Sequence, residues 1–248
     1  MIDIIIVTYN AEKKLRRCLK SIEKNTRDID YCLTILDNAS TDKTGVYLKK
    51  YSKTVDKKLL RIIRSSKNLG FSGGANKAIK ITKNKFIALI DDDAEVTKGW
   101  LSGLYSKIIG QNSVGIVGPK LLTPDGRIAG AGMFIWDRII LQIGLGEKDT
   151  GQRNYIRDVD CLAGPCWLIR REIFEKIGYF DERFFPSQYE DIDYCVRARL
   201  AGYRIIYDGT SSLTHHNLLR GSTNINRKKF FKKWPDLSMF PIKKKGLK

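Results

Sequence analysis

Asp91-Asp92-Asp93 sets three carboxylates in a row directly behind the apolar run Phe86 to Ile90. Hard divalent cations such as Mg²⁺ and Mn²⁺ take oxygen ligands and leave part of their shell to water and substrate phosphates. One or two of these carboxylates therefore suit a metal that bridges to a diphosphate, and a solvated acidic turn is the plain alternative. Asp37-Asn38 ends the run Tyr31 to Leu36 in the same way. A carboxylate there can accept the imide N–H of a uracil or thymine base or the hydroxyls of a ribose, or it can form an Asx turn ahead of the next helix. Glu190-Asp191, with Asp193 close by, follows Phe184, Phe185, Pro186 and Tyr189. Acids in a first helical turn stabilise the helix dipole with no further role. An apolar wall, however, raises a carboxylate's pKa and can stack on a sugar ring, and such a group can take the proton of an alcohol as its oxygen attacks. His215 and His216 are the only histidines. Neighbours on a strand face opposite sides, so at most one of them faces a site, where a neutral imidazole could complete a metal shell begun by Asp93.

These groups need a scaffold that brings them to one edge. Ile2 to Thr8 is a β-branched run too short for a helix and too apolar for an exposed strand, so it reads as a strand buried on both faces of a parallel sheet. Asn10 then caps an amphipathic helix with Leu15, Cys18, Leu19 and Ile22 on one face. Strands at Tyr31 to Leu36, Leu59 to Ile63 and Phe86 to Ile90 alternate with helices at Thr44 to Tyr51 and Ala75 to Thr82. That succession implies a doubly wound α/β sheet, which binds ligands beyond the carboxyl ends of its strands. Asn68 to Asn76 is a glycine-rich turn opening a helix, a place where amides favour anions. It lacks the GK[ST] of a P-loop, and the first strand turns at Thr8-Tyr9-Asn10 without GxGxxG, which disfavours a dehydrogenase-type dinucleotide site.

A helix follows from Val96 to Ile108 and a strand at Val114 to Val117, and Pro119 to Gly151 reads as hairpins and a loop. Cys161 to Ile169 resumes as a strand, and Arg170 to Lys176 is a short helix closed by Gly178. A helix from about Tyr189 to Ala201 ends at Gly202 before strands at Tyr203 to Tyr207 and Ser211 to Thr214. Arg170, Arg171, Arg197 and Arg199 read as helix-face charge. Beyond Arg227 the chain looks like a basic, aromatic appendage outside the core.

With 248 residues, 42% apolar and 29% charged, the chain is long enough for one substantial α/β domain and is not composed like a disordered one. Its apolar runs are far shorter than the roughly 20 residues a membrane-spanning helix needs. No basic stretch precedes an apolar one near Met1, so a cytoplasmic protein is expected. Five cysteines without CxxC spacing suggest free, mostly buried thiols. The formal charge is +18, and residues 227–248 hold nine Lys/Arg against one acid, so nearly half of the excess sits there. Such a segment suits either a solubilising extension or attachment to the anionic inner leaflet of a cell membrane.

The ordered set Ile4 to Asn10, Leu36 to Asp42, Asn68 to Asn76, Asp91-Asp92-Asp93 and Gly164 to Gly202 resembles the family 2 glycosyltransferases of GT-A fold, in particular their rhamnosyltransferase-like branch. The resemblance implies a mostly parallel sheet with helices on both faces and a smaller antiparallel acceptor-side region. It implies a nucleotide-sugar-binding half over 1–118, an acceptor-binding and catalytic half over 119–222 of the same domain, and a tail over 223–248. It further implies an inverting, metal-dependent transfer from a dTDP- or UDP-linked sugar to a hydroxyl of a glycan or lipid-linked acceptor in cell-surface polysaccharide synthesis. Asp191, with Glu190, would be catalytic, and Asp93 with His216 would hold Mg²⁺ or Mn²⁺. Thr8, Tyr9, Asn10, Asp37, Asn38, Asn68, Gly70, Gly73, Asn76, Asp91 and Asp92 would line the donor site, and Trp167, Phe185 and Tyr189 would stack on sugar or acceptor.

Two other classes compete. The net charge and the aromatic-basic tail would suit a nucleic-acid-binding protein without catalysis, although no helix-turn-helix, zinc-finger or ribonucleoprotein signature is present and an acidic triplet has the wrong sign for a phosphate backbone. No nucleic acid is expected. Asp93 and Asp191 could instead be the paired carboxylates of a glycosidase.

Overall fold

The computed structural model describes residues 1–136, 138–216 and 224–238. Its first half alternates as the hydrophobic pattern requires: β1 (Ile2–Thr8), α1 (Glu12–Asn25), β2 (Tyr31–Asp37), α2 (Thr44–Tyr51), β3 (Leu60–Arg64), α3 (Gly70–Ile81) and β4 (Phe86–Asp91). The β1 strand is buried on both faces apart from one half-buried residue, and α1 turns Leu15, Cys18, Leu19 and Ile22 onto the sheet. The chain continues through β5 (Ala94–Val96), α4 (Trp100–Ile108), β6 (Val114–Leu122), β7 (Ile128–Gly130), β8 (Met133–Trp136), β9 (Ile139–Gln142), β10 (Ile156–Val159) and β11 (Cys166–Arg170). It ends with α5 (Glu172–Ile177), a 3₁₀ turn at Glu182–Phe184, α6 (Glu190–Leu200), β12 (Arg204–His215) and α7 (Asn224–Lys233).

Eight strands lie in the order β10-β12-β6-β11-β4-β1-β2-β3, with β5 added against β12 and β7 against β6. Strands β3, β2, β1 and β4 are mutually parallel, β11 is antiparallel to β4 and β6, and β12 runs parallel to β6. The expected mostly parallel sheet is therefore present, and β8 and β9 form a separate antiparallel pair. The expected boundary at residue 118 falls inside β6, so both halves share one sheet. One apolar core lies on each face of the sheet: α1, α2 and α4 cover one, while α3, α5, α6 and α7 contribute to the other.

Register decides where the polar ends meet. Thr8 pairs with Asp37, Asp37 with Arg64, and Val7 with Asp91, so the carboxyl ends of four parallel strands finish level along one edge. The strand expected at Tyr203 to Tyr207 and the one at Ser211 to Thr214 are a single strand, β12, with a register irregularity between Asp208 and Ser212. It delivers His215 opposite Ala94 of β5.

Three local expectations are corrected. Asn10 does not cap α1. It adopts a left-handed backbone (φ 50°), and its Oδ1 accepts from the amide N–H of Thr41 at 2.7 Å and of Asp42 at 3.3 Å. The glycine-rich stretch is mostly helix: α3 begins at Gly70, because Gly74, where a Cβ would lie 2.7 Å from Val7 Cγ1, lets the helix settle close on β1. The basic tail is not wholly an appendage, since Phe230, Phe231 and Leu237 are buried in the core on the α6 face. Local pattern missed this because the exposed Arg227, Lys228, Lys229 and Lys232 dominate the composition of α7. All five cysteines are free and four are buried.

Candidate active site

At the end of β4 the chain turns sharply into β5, and the three aspartates separate by direction. Asp91 and Asp93 face the end of β12, where His215 Nε2 lies 3.6 Å from Asp91 Oδ2 and 3.0 Å from Asp93 Oδ1. One donor atom from each of the three side chains lies within 4.8 Å of the others. Asp92 points the other way. It is buried and accepts a hydrogen bond from the Thr8 hydroxyl at 2.7 Å, and burial, with Asp93 and Asp91 adding to it against that bond, pushes its carboxyl up to about 7. Asp92 and Thr8 are thus buried and tied to each other behind the turn's surface.

The histidine at this cluster is His215, not His216. Alternation along β12 sends His216 to the opposite face, where its Nε2 pairs with Glu95 at 2.6 Å. Burial alone would lower the His215 imidazole, but its hydrogen bonds to Asp91 and Asp93 outweigh that and raise it to about 9. Lys14 Nζ adds a second positive charge 3.5 Å from Asp93 Oδ2, and His215 must give up its proton to ligate a metal. Two carboxylate oxygens and one imidazole nitrogen are a donor set that fits Mg²⁺ or Mn²⁺.

Asp191 reaches the same edge from α6. The link is continuous: the Asp91 amide donates to the Pro165 carbonyl at 3.0 Å, and the next residue back, Gly164, donates its amide to Asp191 Oδ2 at 3.1 Å. Asp191 Oδ1 accepts from the Ile192 amide at 2.8 Å. Burial pushes the Asp191 carboxyl up to about 6, with the two backbone hydrogen bonds opposing the shift and the Asp91 charge assisting it. Glu190 is buried with Oε2 unpartnered, and burial together with the Asp191 charge holds its carboxyl well above the usual range. The two carboxylates are neighbours on α6, and each charge raises the other's pKa.

At the ends of β2 and β3, Asp37 is buried. Its Oδ1 accepts from the Ser40 amide at 2.9 Å and its Oδ2 pairs with Arg64 Nη1 at 3.1 Å. Arg64 follows from register and was missed in the sequence, although a strand ending at Ile63 puts residue 64 at the ligand-binding edge. Asn38 Nδ2 donates to Asn68 Oδ1 and to the Gly70 carbonyl, and Asn38 Oδ1 accepts from the Leu69 amide. The Gly70 amide donates to Asn68 Oδ1 and the Phe71 amide to the Pro186 carbonyl. The first amides of α3, expected to meet an anion, are consumed inside the protein. Tyr9 remains open, 46% exposed.

Several other expected contacts are corrected. Gly70 (φ 69°) serves close approach, since a Cβ there would lie 2.8 Å from Phe185 Cδ2 and from the Pro186 carbonyl oxygen. Gly73 packs against Leu69 and Glu182. Asn76 is buried and spends its carboxamide on Phe180, accepting from its amide and donating to its carbonyl, and on Glu182. Trp167 is a core residue packed near Phe180 and Tyr194, because β11 is buried on both faces, and so it cannot stack on a sugar. Phe185 is 51% exposed beside the site, while Tyr189 rests on Phe230. Arg170 is not surface charge either: it is buried and donates to the carbonyls of Val114, Ile108 and Gln111.

Among solved structures the chain is similar to GalNAc-T7 with UDP, GalNAc and Mn²⁺, with a TM-score of 0.77 at 17% identity, covering 94% of this chain and 48% of that one. It is also similar to the mannosyltransferase PcManGT from Pyrobaculum calidifontis in complex with GDP-Man and Mn²⁺, at TM-score 0.69 and 18% identity, covering 95% and 64%. These likenesses define the fold as GT-A. The model of glycosyl transferase family 2 matches residues 3–178, and the chain belongs to that family. Relatives include the low-salt glycan biosynthesis hexosyltransferase Agl10 of Haloferax volcanii, 27% identical over 80% of this chain and 61% of its own length. They also include an N-acetylglucosaminyl-diphospho-decaprenol L-rhamnosyltransferase of Mycobacterium tuberculosis, 24% identical over 87% and 76%. An uncharacterized protein of Sinorhizobium fredii, y4gI, is 28% identical over 87% of this chain but only 24% of its own length, so this chain spans a minor part of some relatives.

Proposed function

We propose that this protein transfers a sugar from a nucleoside diphosphate, dTDP- or UDP-linked, to a hydroxyl of a glycan or lipid-linked acceptor, with inversion at the anomeric carbon, in the synthesis of a surface polysaccharide. The observation that carries the reading is the meeting of Asp91, Asp93 and His215 with Asp191 at the carboxyl edge of the sheet. Supporting it are the activities of relatives, a glycan hexosyltransferase and a rhamnosyltransferase, and the nucleotides and Mn²⁺ in the GT-A neighbours.

The turn at Asp37 to Ser40, stiffened by Arg64, would face the nucleobase, with Tyr9 and Asn10 closing the other side. Asp91, Asp93 and His215 would hold Mg²⁺ or Mn²⁺, which when bound stabilises negative charge on the departing diphosphate. Asp191, fixed by the amides of Gly164 and Ile192, is aimed by two backbone bonds and is free to accept the proton of an incoming hydroxyl as that oxygen attacks. Phe185 offers an exposed ring for the acceptor, and burial of the adjacent Glu190 raises its carboxyl pKa, which favours leaving the negative charge on Asp191.

Among the described residues no helix is long and apolar enough to cross a membrane. The exposed Arg227, Lys228, Lys229 and Lys232 of α7 support peripheral binding to an anionic leaflet, where a lipid-linked acceptor would be met; most of the remaining basic tail lies outside the described residues. Calorimetry with UDP, dTDP and GDP, each with Mn²⁺, tests the donor. Metal-dependent binding of one of them is expected. Tight binding of generic DNA at physiological salt with no nucleoside-diphosphate binding would instead favour a nucleic-acid role.

A further inference from the structure

The turn that leads into Asp191 is held in an unfavourable backbone. Gln188 (φ 81°) and Tyr189 (φ 73°) are consecutive non-glycine residues in the left-handed region, and Tyr189 immediately precedes the first turn of α6. Such residues persist only where the surroundings over-determine them. On one side the turn is tied to α3 through the Phe71 amide and the Pro186 carbonyl, 2.8 Å apart. On the other side stands α7, where Phe230 packs on the Tyr189 ring and Lys229 Nζ donates to the Arg183 carbonyl at 2.6 Å, while one side chain, Asn226, holds the backbone of the turn itself. Asn226 Nδ2 donates to the carbonyls of Phe184 at 2.8 Å and Ser187 at 2.9 Å, with those of Gln188 and Phe185 at 3.3 and 3.5 Å. Asn226 is buried, and its Oδ1 has no hydrogen-bond partner. An orphaned acceptor is costly, so this carboxamide is placed for its N–H₂ group alone. Four carbonyl oxygens around one nitrogen also fix which way the amide points.

We infer that Asn226 is a positioning residue, which from α7 clasps the 184–189 turn and thereby sets the direction in which Asp191 leaves the first turn of α6. The inference deepens the proposed function and rests on Asp191 as its base. The far end of α7 is secured independently: Lys233 Nζ bridges Asp181 Oδ2 at 2.8 Å and Asp193 Oδ1 at 2.6 Å, and Trp234 Nε1 donates to Asp193 Oδ1 at 2.9 Å. Lys233 and Trp234 thus dock the helix through Asp181 and Asp193, whereas the backbone carbonyls of the 184–189 turn are held by Asn226. Asn226→Ala removes the clasp, whereas Trp234→Phe removes a docking bond and part of the ring that packs on the core, away from the turn's carbonyls.

The test is amide hydrogen exchange on the full chain, together with carbon-detected NMR titration of the Asp191 carboxylate. Neither depends on transfer activity, so both read the positioning even if Asp191 proves not to be the base. In Asn226→Ala, exchange across 184–191 should rise by about tenfold beyond any change elsewhere, the scale of losing roughly one net hydrogen bond. The Asp191 midpoint should fall from about 6 toward the ordinary carboxylate range as water enters. Trp234→Phe should lower the melting temperature while leaving both readouts as in the unmodified protein. If Asn226→Ala melts earlier with no local excess of exchange and an unmoved midpoint, the clasp is refuted. Should the alanine variant not fold, Asn226→Ser, which keeps one donor, takes its place: exchange across 184–191 raised above the unmodified chain, with no equal rise elsewhere, supports the clasp, and exchange equal to the unmodified chain overturns it.

Discussion

Asp191 is the residue on which the chemistry turns, and its environment gives its pH behaviour a sign. A general base acts ionised, and burial holds this carboxyl up to about 6. Transfer should therefore be level above that pH and decline as pH falls through about 6, lower pH refilling the carboxylate with a proton; a pH–rate profile flat down to pH 5 would contradict the assignment. Asp191→Asn should reduce transfer by roughly 10²- to 10⁴-fold, the usual contribution of a positioned base, measured as nucleotide released in the presence of acceptor. At this scale the sequence was legible where residue type alone decides, as for Asp91, Asp93 and Asp191. It was not legible where direction decides. His215 ends β12 and His216 follows it, so the two differ only in the side to which they point, and that is set by the pairing of His215 with Ala94. Trp167 likewise reads as an aromatic platform until β11 is seen buried on both sides. Lys14, half-buried in the first turn of α1, gave no signal of its proximity to Asp93.

Among the elements, α3 shows how a turn signal can conceal a packing requirement. The glycines of Asn68 to Asn76 resemble an anion cradle, yet Asn38, Asn68 and Pro186 already take up the leading amides. Gly70 is needed because its backbone is left-handed and because the Phe185–Pro186 segment lies against it. Gly70→Ala should destabilise the protein by about 1 to 3 kcal/mol through backbone strain, with the close contact adding to it. Urea unfolding would measure this, and an unchanged midpoint would show that the 185–186 segment yields freely. Alternation of strands and helices through β4 was readable from apolar spacing. The union of two short strands into β12 was not, because the irregularity between Asp208 and Ser212 breaks the period of two that marks a strand.

Over the whole molecule, long-range assembly does what no local pattern announces: residues about a hundred positions apart close one edge of the sheet. The mostly parallel architecture followed from the succession of elements, while the antiparallel insertion of β11 between β4 and β6 is a topological fact without a sequence signature. The same holds for α7, whose polar composition hides two buried phenylalanines. Phe230→Ala should cost about 3 to 5 kcal/mol, as for other large core aromatics, and should loosen Tyr189, which packs on that ring. A solvated tail would lose almost nothing in the same denaturation experiment.

The most direct measurement is calorimetry of the preferred nucleoside diphosphate with Mn²⁺ on the unmodified protein, Asp93→Ala and Asp191→Asn. Asp93→Ala should lose metal-dependent affinity by at least about tenfold, the lower range seen even for groups outside a ligand set, while Asp191→Asn binds as the unmodified chain does. Equal loss in both variants, or binding in neither case sensitive to the metal, would contradict a cleft in which one acidic cluster grips the diphosphate and a separate carboxylate faces the acceptor.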